Sequence, residues 1–286
     1  MGSTSRKAGS VLAVAVAIGA CSGSGGENDA LSGAPSQVST GASSSPPGSS
    51  VGLEYSGSPS GAGIWIGKLS RHGQVTDDAI CLMTATAGLA CTFGELKDSS
   101  ATNEGLSAAA YGTFSLAAGQ PRGAGHMYAA PGHVLADGIS AVAKFSIASV
   151  TFSDQYRSIE MTWDGPGGPL TISADFDHYY RQSTSILEIG GVYRTADVLG
   201  DPASFAISGD GSLFLQTAGG CVGTGKVVLD TRNIQRLTLT IEGCPELAGH
   251  YEGMSSVLDF TWVNDRTELL FAAFNDSKFV AGKAVK

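Results

Sequence analysis

The fold class is best predicted from one stretch in which apolar and polar residues alternate throughout, Leu170-Thr171-Ile172-Ser173-Ala174-Asp175-Phe176-Asp177. In a β-strand, successive side chains point to opposite faces, so this stretch forms a strand with one apolar and one polar face. The same alternation occurs in Leu237-Thr238-Leu239-Thr240-Ile241-Glu242 and, more briefly, in Phe145-Ser146-Ile147-Ala148. These patterns predict antiparallel strands that pack one side on a core and leave the other in water.

Similar short apolar runs continue in both directions from this stretch, between Gly61 and Lys286, and Gly, Asp, Asn or Pro interrupt them. Further strands are predicted at residues 63–69, 79–83, 89–93, 109–116, 125–129, 157–163, 204–207, 213–216, 225–229, 257–263 and 268–274. No convincing amphipathic helix separates these runs, and the connections are short. The sequence therefore predicts an all-β domain whose antiparallel hairpins close into one or more β-barrels.

Two β lobes are expected, because part of the sequence recurs. Gly112-Thr113-Phe114-Ser115-Leu116 is echoed by Gly211-Ser212-Leu213-Phe214-Leu215, and Gly63-Ile64-Trp65 has a looser echo in Gly191-Val192-Tyr193. An internal duplication would give a first lobe at residues 61–189 and a second at 190–286. Chance is the alternative in a chain with 40 glycines.

The N-terminus carries the marks of an export signal. Arg6 and Lys7 precede an apolar run at residues 11–18, which is too short to span a bilayer and ends at Ile18-Gly19-Ala20-Cys21. This segment resembles the signal peptide of bacterial lipoproteins. The resemblance implies that residues 1–20 are removed and that Cys21 is acylated, and Ser22 implies sorting to the outer membrane. An ordinary export signal with a chance cysteine is the alternative.

Residues 21–60 are rich in Ser and Gly, include Pro46-Pro47, and contain few large apolar side chains. Such a segment cannot bury enough surface to offset the entropy lost on ordering, so we expect a disordered tether. A flexible chain of this length has an end-to-end distance of roughly 35 Å. That distance would hold the β domain clear of a membrane surface.

Four cysteines remain besides Cys21, and an even number in an exported protein predicts two disulfides. Three pairings are possible. Cys81 and Cys91 lie symmetrically about Thr86, so a tight hairpin would place them opposite each other. Cys221 would then pair with Cys244, but their strand parity differs by one residue. That pair needs a bulge at a nearby glycine, with Gly219, Gly220 and Gly243 as the candidates.

The last third of the chain resembles the closing segment of uncharacterised proteobacterial lipoproteins. The resemblance is carried by Asp210-Gly211-Ser212, Gly220-Cys221, Gly223-x-Gly225, Gly243-Cys244 and Leu247-Ala248-Gly249-His250-Tyr251-Glu252-Gly253. It implies a small antiparallel barrel that contains a disulfide, and it brings no catalytic residue. The plan of anchor, tether and β lobes is also similar in outline to that of surface lipoproteins such as the factor H-binding and transferrin-binding proteins.

Candidates for a chemical site are few. Asp175 and Asp177 share one strand face and could bind a hard cation such as calcium, although a solvated strand end is the simpler interpretation. His126 and His133 flank Pro131-Gly132, but no serine is selected as their partner, so hydrolase activity is the least favoured function. Among the other aromatic side chains, His250 and the three tryptophans Trp65, Trp163 and Trp262 are expected to serve structure. We therefore expect no catalytic residue, no metal site and no cofactor.

The charge also limits the function. The formal net charge is −9, and loss of Arg6 and Lys7 with the signal makes it −11. An acidic surface disfavours nucleic acid as a partner. Two functions are left besides hydrolysis: a non-catalytic envelope lipoprotein that binds a protein partner or supports envelope structure, and a carrier of a small hydrophobic ligand. A barrel interior filled by side chains such as Phe145, Ile147, Phe176, Leu239 and Phe260 favours the first, and a lined cavity favours the second.

Overall fold

The computed structural model describes residues 61–94, 105–116, 121–177, 180, 184–196, 200–258 and 268–286. Within these ranges the chain forms sixteen strands, a 3₁₀ turn at Asp154–Tyr156 and one short helix. The strands form two closed antiparallel barrels of eight strands each. The prediction of an all-β fold with antiparallel barrels is therefore confirmed.

The first barrel is an up-and-down meander in which each strand pairs with the next and β1 closes on β8. Its strands are β1 (Gly63–Arg71), β2 (Gln74–Met83), β3 (Gly88–Gly94), β4 (Leu106–Ser115), β5 (Arg122–Ala129), β6 (Val142–Phe152), β7 (Ser158–Gly165) and β8 (Gly168–Phe176). β8 contains the alternating stretch of residues 170–177 except for its last residue, Asp177. Its inward residues Leu170, Ile172 and Ala174 are buried, as the alternation requires.

The second barrel repeats this topology. Its strands are β9 (Gly191–Ala196), β10 (Pro202–Ile207), β11 (Ser212–Thr217), β12 (Val222–Thr231), β13 (Ile234–Glu242), β14 (Gly249–Leu258), β15 (Glu268–Phe274) and β16 (Phe279–Val285). β16 pairs with β9 through the register Val285↔Arg194. The Thr195 hydroxyl adds a hydrogen bond to the Lys283 carbonyl at 2.7 Å, so a side chain supports this closure.

Each barrel has its own apolar core. Inside the first, Trp163 stacks on Phe145 with ring centroids 4.4 Å apart and contacts Phe93 edge-on at 6.0 Å. Inside the second, Tyr193 stacks on Phe205 at 5.1 Å, and Phe205 contacts Phe271 at 5.5 Å. Large aromatic side chains therefore fill the centres of both barrels.

The two echoed sequence motifs occupy different positions in the repeated topology. Gly63-Ile64-Trp65 and Gly191-Val192-Tyr193 each open the first strand of a barrel, β1 and β9. The longer motif lies on the fourth strand of the first barrel and on the third strand of the second, β4 and β11. The shorter motif thus lies on equivalent strands of the two barrels. The longer motif lies on strands that are not equivalent, since their positions differ by one.

A connecting segment leads from β8 to β9 and contains the helix α1 (Ile186–Ile189). Ser185 caps this helix: its hydroxyl accepts a hydrogen bond from the Glu188 backbone N–H, and the Glu188 carboxylate accepts one from the Ser185 N–H. At the other end, the Lys286 ammonium donates to the carbonyls of Glu188 and Gly190. The Lys286 side chain, directly after β16, therefore links the end of the second barrel to the segment that leads into β9.

The predicted strands agree with the observed ones over most of the described chain, with three differences. β9 had no predicted counterpart among the strands. β16 had none either, because Gly282 and Lys283 interrupt its apolar residues. The predicted strand at 257–263 continues β14, which extends to Leu258, and its remaining residues lie outside the described ranges.

Candidate functional site

The two barrels pack against each other through a third apolar cluster, which we call the inter-barrel seam. The contacting strand pairs are β2 with β14, β3 with β15 and β4 with β16. The first barrel contributes the outer-face residues Ile64, Ile80, Leu82, Ala90, Ala109 and Tyr128, and the second contributes Met254, Leu270, Ala272, Phe274, Phe279 and Ala281. Strands β3 and β15 are therefore buried on both faces, unlike the half-exposed strands that alternation predicts.

Aromatic rings form the centre of the seam. Tyr111 stacks on Phe274 with centroids 4.9 Å apart and planes 12° from parallel. Tyr128 contacts both Phe274 and Phe279, at 5.3 and 6.2 Å, and its hydroxyl donates to the Asn275 carbonyl at 2.9 Å. Burial, with a smaller contribution from Asp276, raises the pKa of Tyr128 to about 12. The tyrosine is thus neutral and hydrogen-bonded across the seam at physiological pH.

An ion pair lies at another edge of the seam. The Asp230 carboxylate, whose side chain is 2% exposed, forms an ion pair with Arg236, with Oδ1 and Nε 2.9 Å apart. Thr86, on the β2–β3 turn of the first barrel, places its hydroxyl 3.5 Å from both Asp230 oxygens. Burial first, and Glu252 second, raise the pKa of Tyr111, while Arg236 acts in the opposite direction. The seam therefore combines apolar packing with a few specific polar contacts.

Cavities inside the second barrel are small. One void of about 20 Å³ lies among Phe205, Leu237 and Phe271, and another of about 20 Å³ lies near Thr195 and Val280. Each has room for about one water molecule. A small-molecule site usually measures about 300–1,000 Å³, so these voids are too small for a hydrophobic cargo.

A larger cleft opens where the two barrels meet at one end of the seam, and we call it the inter-barrel cleft. Its volume is about 320 Å³. The first barrel contributes Tyr128, Ala129, Ala130, Pro131, Gly132, His133 and Ala141, and the second contributes Glu246, Leu247, Ser277, Lys278 and Phe279. Residues from two barrels thus form one concave site whose walls are largely apolar and which also carries the side chains of His133, Glu246 and Lys278.

A second concavity, of about 410 Å³, lies on the first barrel along β6, β7 and β8. Glu160, Asp175, Ser173 and Thr151 line it together with the half-buried ring of Phe152. Asp175 therefore faces an open trough, next to the strand end at Asp177. Across the described ranges, no group of three or more His, Cys, Asp or Glu side chains could hold a metal ion. Asp175 and Asp177 thus do not form such a group with a third His, Cys, Asp or Glu in that part of the chain.

The outer face of the second barrel exposes an apolar row away from the seam. Val192 on β9, Ala206 on β10 and Phe214 on β11 are direct cross-strand neighbours, which we call the outer apolar row. Val192 is 62% exposed and Phe214 is 47% exposed. Leu187 on α1, 77% exposed, lies beside the β10–β11 turn near Gly209. Contiguous exposed apolar side chains of this kind mark interaction surfaces more often than isolated ones do.

The structure contains both disulfides. Cys81 and Cys91 are direct partners in the β2–β3 register and are bonded to each other. Cys221 is bonded to Cys244 just beyond the last pair of β12 and β13, which is Val222↔Glu242. Gly243 lies between that pair and Cys244 with φ +82° and supplies the extra residue that the strand parity required. Both bridges are buried and hold hairpins together, so they have a structural role.

The histidines and tryptophans occupy separate environments. Trp65 and Trp163 are buried in the first barrel. His126 is exposed on β5, and the exposed His250 shares a hydrogen bond of 3.1 Å with Thr240. His133 lines the inter-barrel cleft, a location that its sequence neighbours Pro131 and Gly132 did not reveal.

Several predicted residues lie outside the described ranges. They are Cys21 with the tether up to residue 60, Phe260 and Trp262. None of the helices in the described ranges is long and apolar enough to span a bilayer.

Comparison with known proteins finds no family model that matches the chain, no similar curated protein and no similar solved structure. The candidate sites are therefore defined by geometry alone.

Proposed function

We propose that this protein is a lipid-anchored protein of the bacterial envelope, held at the outer membrane through Cys21. Its paired barrels serve as a non-catalytic module that binds a protein partner or supports envelope structure. The export signal with Cys21, the tether at residues 21–60 and the resemblance of the last third to proteobacterial lipoproteins support this proposal. Two or three acyl chains, at about 0.8 kcal/mol per buried CH₂, would hold the protein on the membrane almost permanently.

The outer apolar row carries the protein-binding part of the proposal. Val192 and Phe214 remain exposed on a barrel whose core and seam bury most other large apolar side chains. A rigid sheet face can bind a partner with little loss of conformational entropy. The row is therefore the best-supported contact surface for a protein.

A carrier of a small hydrophobic ligand is the alternative function. The voids of about 20 Å³ in the second barrel are too small to hold such a ligand inside that barrel. The inter-barrel cleft, at about 320 Å³, is the concave site that favours a small ligand, and it lies outside both barrels.

Metabolic labelling with palmitate in a Gram-negative host tests the anchor. We expect the wild-type chain to be labelled and to fractionate with the outer membrane, and Cys21→Ala to be unlabelled and released. Ser22→Asp is the matched control, because it should stay acylated but shift to the inner membrane. An unlabelled wild-type chain would refute the anchor.

Site-specific photocrosslinking in living cells tests the binding surface. A photoreactive side chain at position 192 or 214 should yield one discrete adduct, because both positions face the partner. The same side chain at Glu160, exposed on β7 of the other barrel, serves as the control and should yield none. Equal adducts at all three positions, or none at any, would rule out the outer apolar row as the contact surface.

A further inference from the structure

The inter-barrel cleft has a rigid base. The Tyr128 hydroxyl donates to the Asn275 carbonyl at 2.9 Å and so links the two barrels beneath the cleft. The Asn275 side-chain oxygen accepts from the backbone N–H groups of Ser277 and Lys278, at 2.9 and 2.8 Å. These bonds hold the β15–β16 turn in place before any ligand arrives, which lowers the entropy lost on binding.

One cation is fixed at the cleft. The Lys278 ammonium donates to the Pro245 carbonyl at 3.1 Å, on the loop between β13 and β14. It pairs with no carboxylate among the described residues, so its other two donors remain available. The turn and the loop therefore present a positive charge with a defined position.

An anion lies on the same loop. Glu246 directly follows Pro245, and its carboxylate makes no hydrogen bond or ion pair within the described part of the chain. On the wall contributed by the first barrel, the His133 imidazole is exposed and makes no side-chain hydrogen bond with the described residues either. A carboxylate and an ammonium thus face one small cleft without neutralising each other.

Most of the remaining lining is apolar. Tyr128, Ala130, Leu247 and Phe279 are buried residues that form the walls. Val134 and Ile139, on the loop that carries His133, are 56% and 83% exposed. A ligand in this cleft would contact apolar walls and two opposite charges.

We propose that the inter-barrel cleft binds a small zwitterion with an apolar body, namely an amino acid or a short peptide. Its carboxylate pairs with Lys278, its ammonium pairs with Glu246, and its side chain lies against Tyr128 and Phe279. The volume of about 320 Å³ suits a ligand of this size. This inference does not depend on the proposed protein partner, whose surface lies elsewhere on the second barrel.

Isothermal titration calorimetry with the full chain in detergent tests the proposal. The probes are L-phenylalanine, the dipeptide L-phenylalanyl-L-phenylalanine, N-acetyl-L-phenylalanine and L-phenylalaninamide. We expect saturable binding of the amino acid or the dipeptide, and binding at least about tenfold weaker for the two blocked analogues, each of which lacks one charge. Binding of the amino acid alone would identify free amino acids as the source of the ligand, and binding of the dipeptide alone would identify peptides.

Charge-removing variants assign the contacts. Lys278→Met and Glu246→Gln should each weaken binding by about tenfold or more. Lys226→Met and Glu242→Gln, on the outer face of the second barrel, are the matched controls and should leave binding unchanged. All four residues are at least partly exposed, so the variants should fold, and thermal melts verify this.

Three results would overturn the proposal. The first is no binding of either zwitterion at millimolar concentration. The second is equal affinity for the blocked analogues, which would mean that the charges are not recognised. The third is equal loss of binding in the cleft variants and in the outer-face controls, which would place the ligand elsewhere.

Discussion

Trp65 and Tyr193 are equivalent residues of the two barrels, although their side chains differ. Each is the third residue of its barrel's first strand, and each is completely buried. Trp65 Nε1 donates to the Gly61 carbonyl at 2.9 Å, and the Tyr193 hydroxyl donates to the Ile189 carbonyl at 2.6 Å. In both barrels, a buried aromatic residue of the first strand thus donates a hydrogen bond to the backbone carbonyl four residues earlier in the chain.

Tyr193→Phe should lower the free energy of unfolding by about 1–3 kcal/mol, because the Ile189 carbonyl loses its partner inside the second barrel. Denaturant unfolding monitored by fluorescence measures this. Tyr156→Phe is the control, since the Tyr156 hydroxyl makes no hydrogen bond within the described residues. An effect no larger than that of the control would mean that the buried hydrogen bond contributes nothing to stability.

The stacking of Tyr111 on Phe274 should make the stability of the two barrels interdependent. In a double-mutant cycle of Tyr111→Ala and Phe274→Ala, we expect a coupling free energy of about 0.5–1.5 kcal/mol. Phe274→Ala alone should cost about 3–5 kcal/mol. Phe271 points into the second barrel instead, so Tyr111→Ala and Phe271→Ala should be additive. Additivity in the first cycle would contradict a coupled seam.

Gly243→Ala should destabilise the second barrel more than an ordinary glycine substitution does. Its φ of +82° is unfavourable for alanine, and an added Cβ would lie 2.8 Å from the Gly220 carbonyl oxygen. Gly73→Ala is the matched control, with φ +77° and no atom within 4 Å of the added Cβ.

We expect the Gly243 variant to lose about 1 kcal/mol or more beyond the Gly73 variant. Thermal unfolding measures this difference, and thiol labelling reports whether Cys221 and Cys244 remain bonded. Equal losses in both variants would show that the close contact with Gly220 is relieved without cost.

Alkaline pH should destabilise the fold. Burial raises the pKa of both Tyr128 and Tyr193 to about 12, above the value of 10 for an exposed tyrosine. Between these values the unfolded chain releases protons that the folded chain retains, so the free energy of unfolding decreases as the pH rises from 10 towards 12. This contribution is fully present below pH 10.

Thermal melts from pH 8 to the alkaline limit measure this dependence. Tyr128→Phe and Tyr193→Phe should each flatten it, because phenylalanine has no proton to lose. Spectroscopic titration of tyrosinate in the folded protein should show that these tyrosines ionise at a higher pH than an exposed tyrosine does. An unchanged slope in both variants would contradict the role of these tyrosines.

Much of the local structure follows from the sequence. Alternation at residues 170–176 and 237–242 identified strands and their buried faces, because a period of two residues is the side-chain repeat of a β-strand. The symmetry of Cys81 and Cys91 about Thr86 identified a hairpin that brings the two sulfur atoms together. The residues concerned are neighbours in the chain, and local geometry is enough to relate them.

The seam was not predicted, although the sequence carries a trace of it. Leu269-Leu270-Phe271-Ala272-Ala273-Phe274 is apolar without alternation, which indicates burial on both faces of β15. That pattern does not say what covers the second face. Likewise, nothing in the sequence relates His133 to Lys278, since they are 145 residues apart and come together only at the inter-barrel cleft.

The amino-acid sequence was enough to predict the all-β class, the direction of most strand faces and the hairpin bridge, because these depend on contacts within a few residues. Its short connections and its recurring motifs also predicted antiparallel barrels and two lobes. The tertiary structure was needed to show that each barrel closes with eight strands, that the barrels share an apolar seam, and that Tyr128 bonds to Asn275 beneath a charged cleft. Those features join residues far apart in the chain. Their pairing depends on the shape and packing of whole faces, which no local pattern encodes.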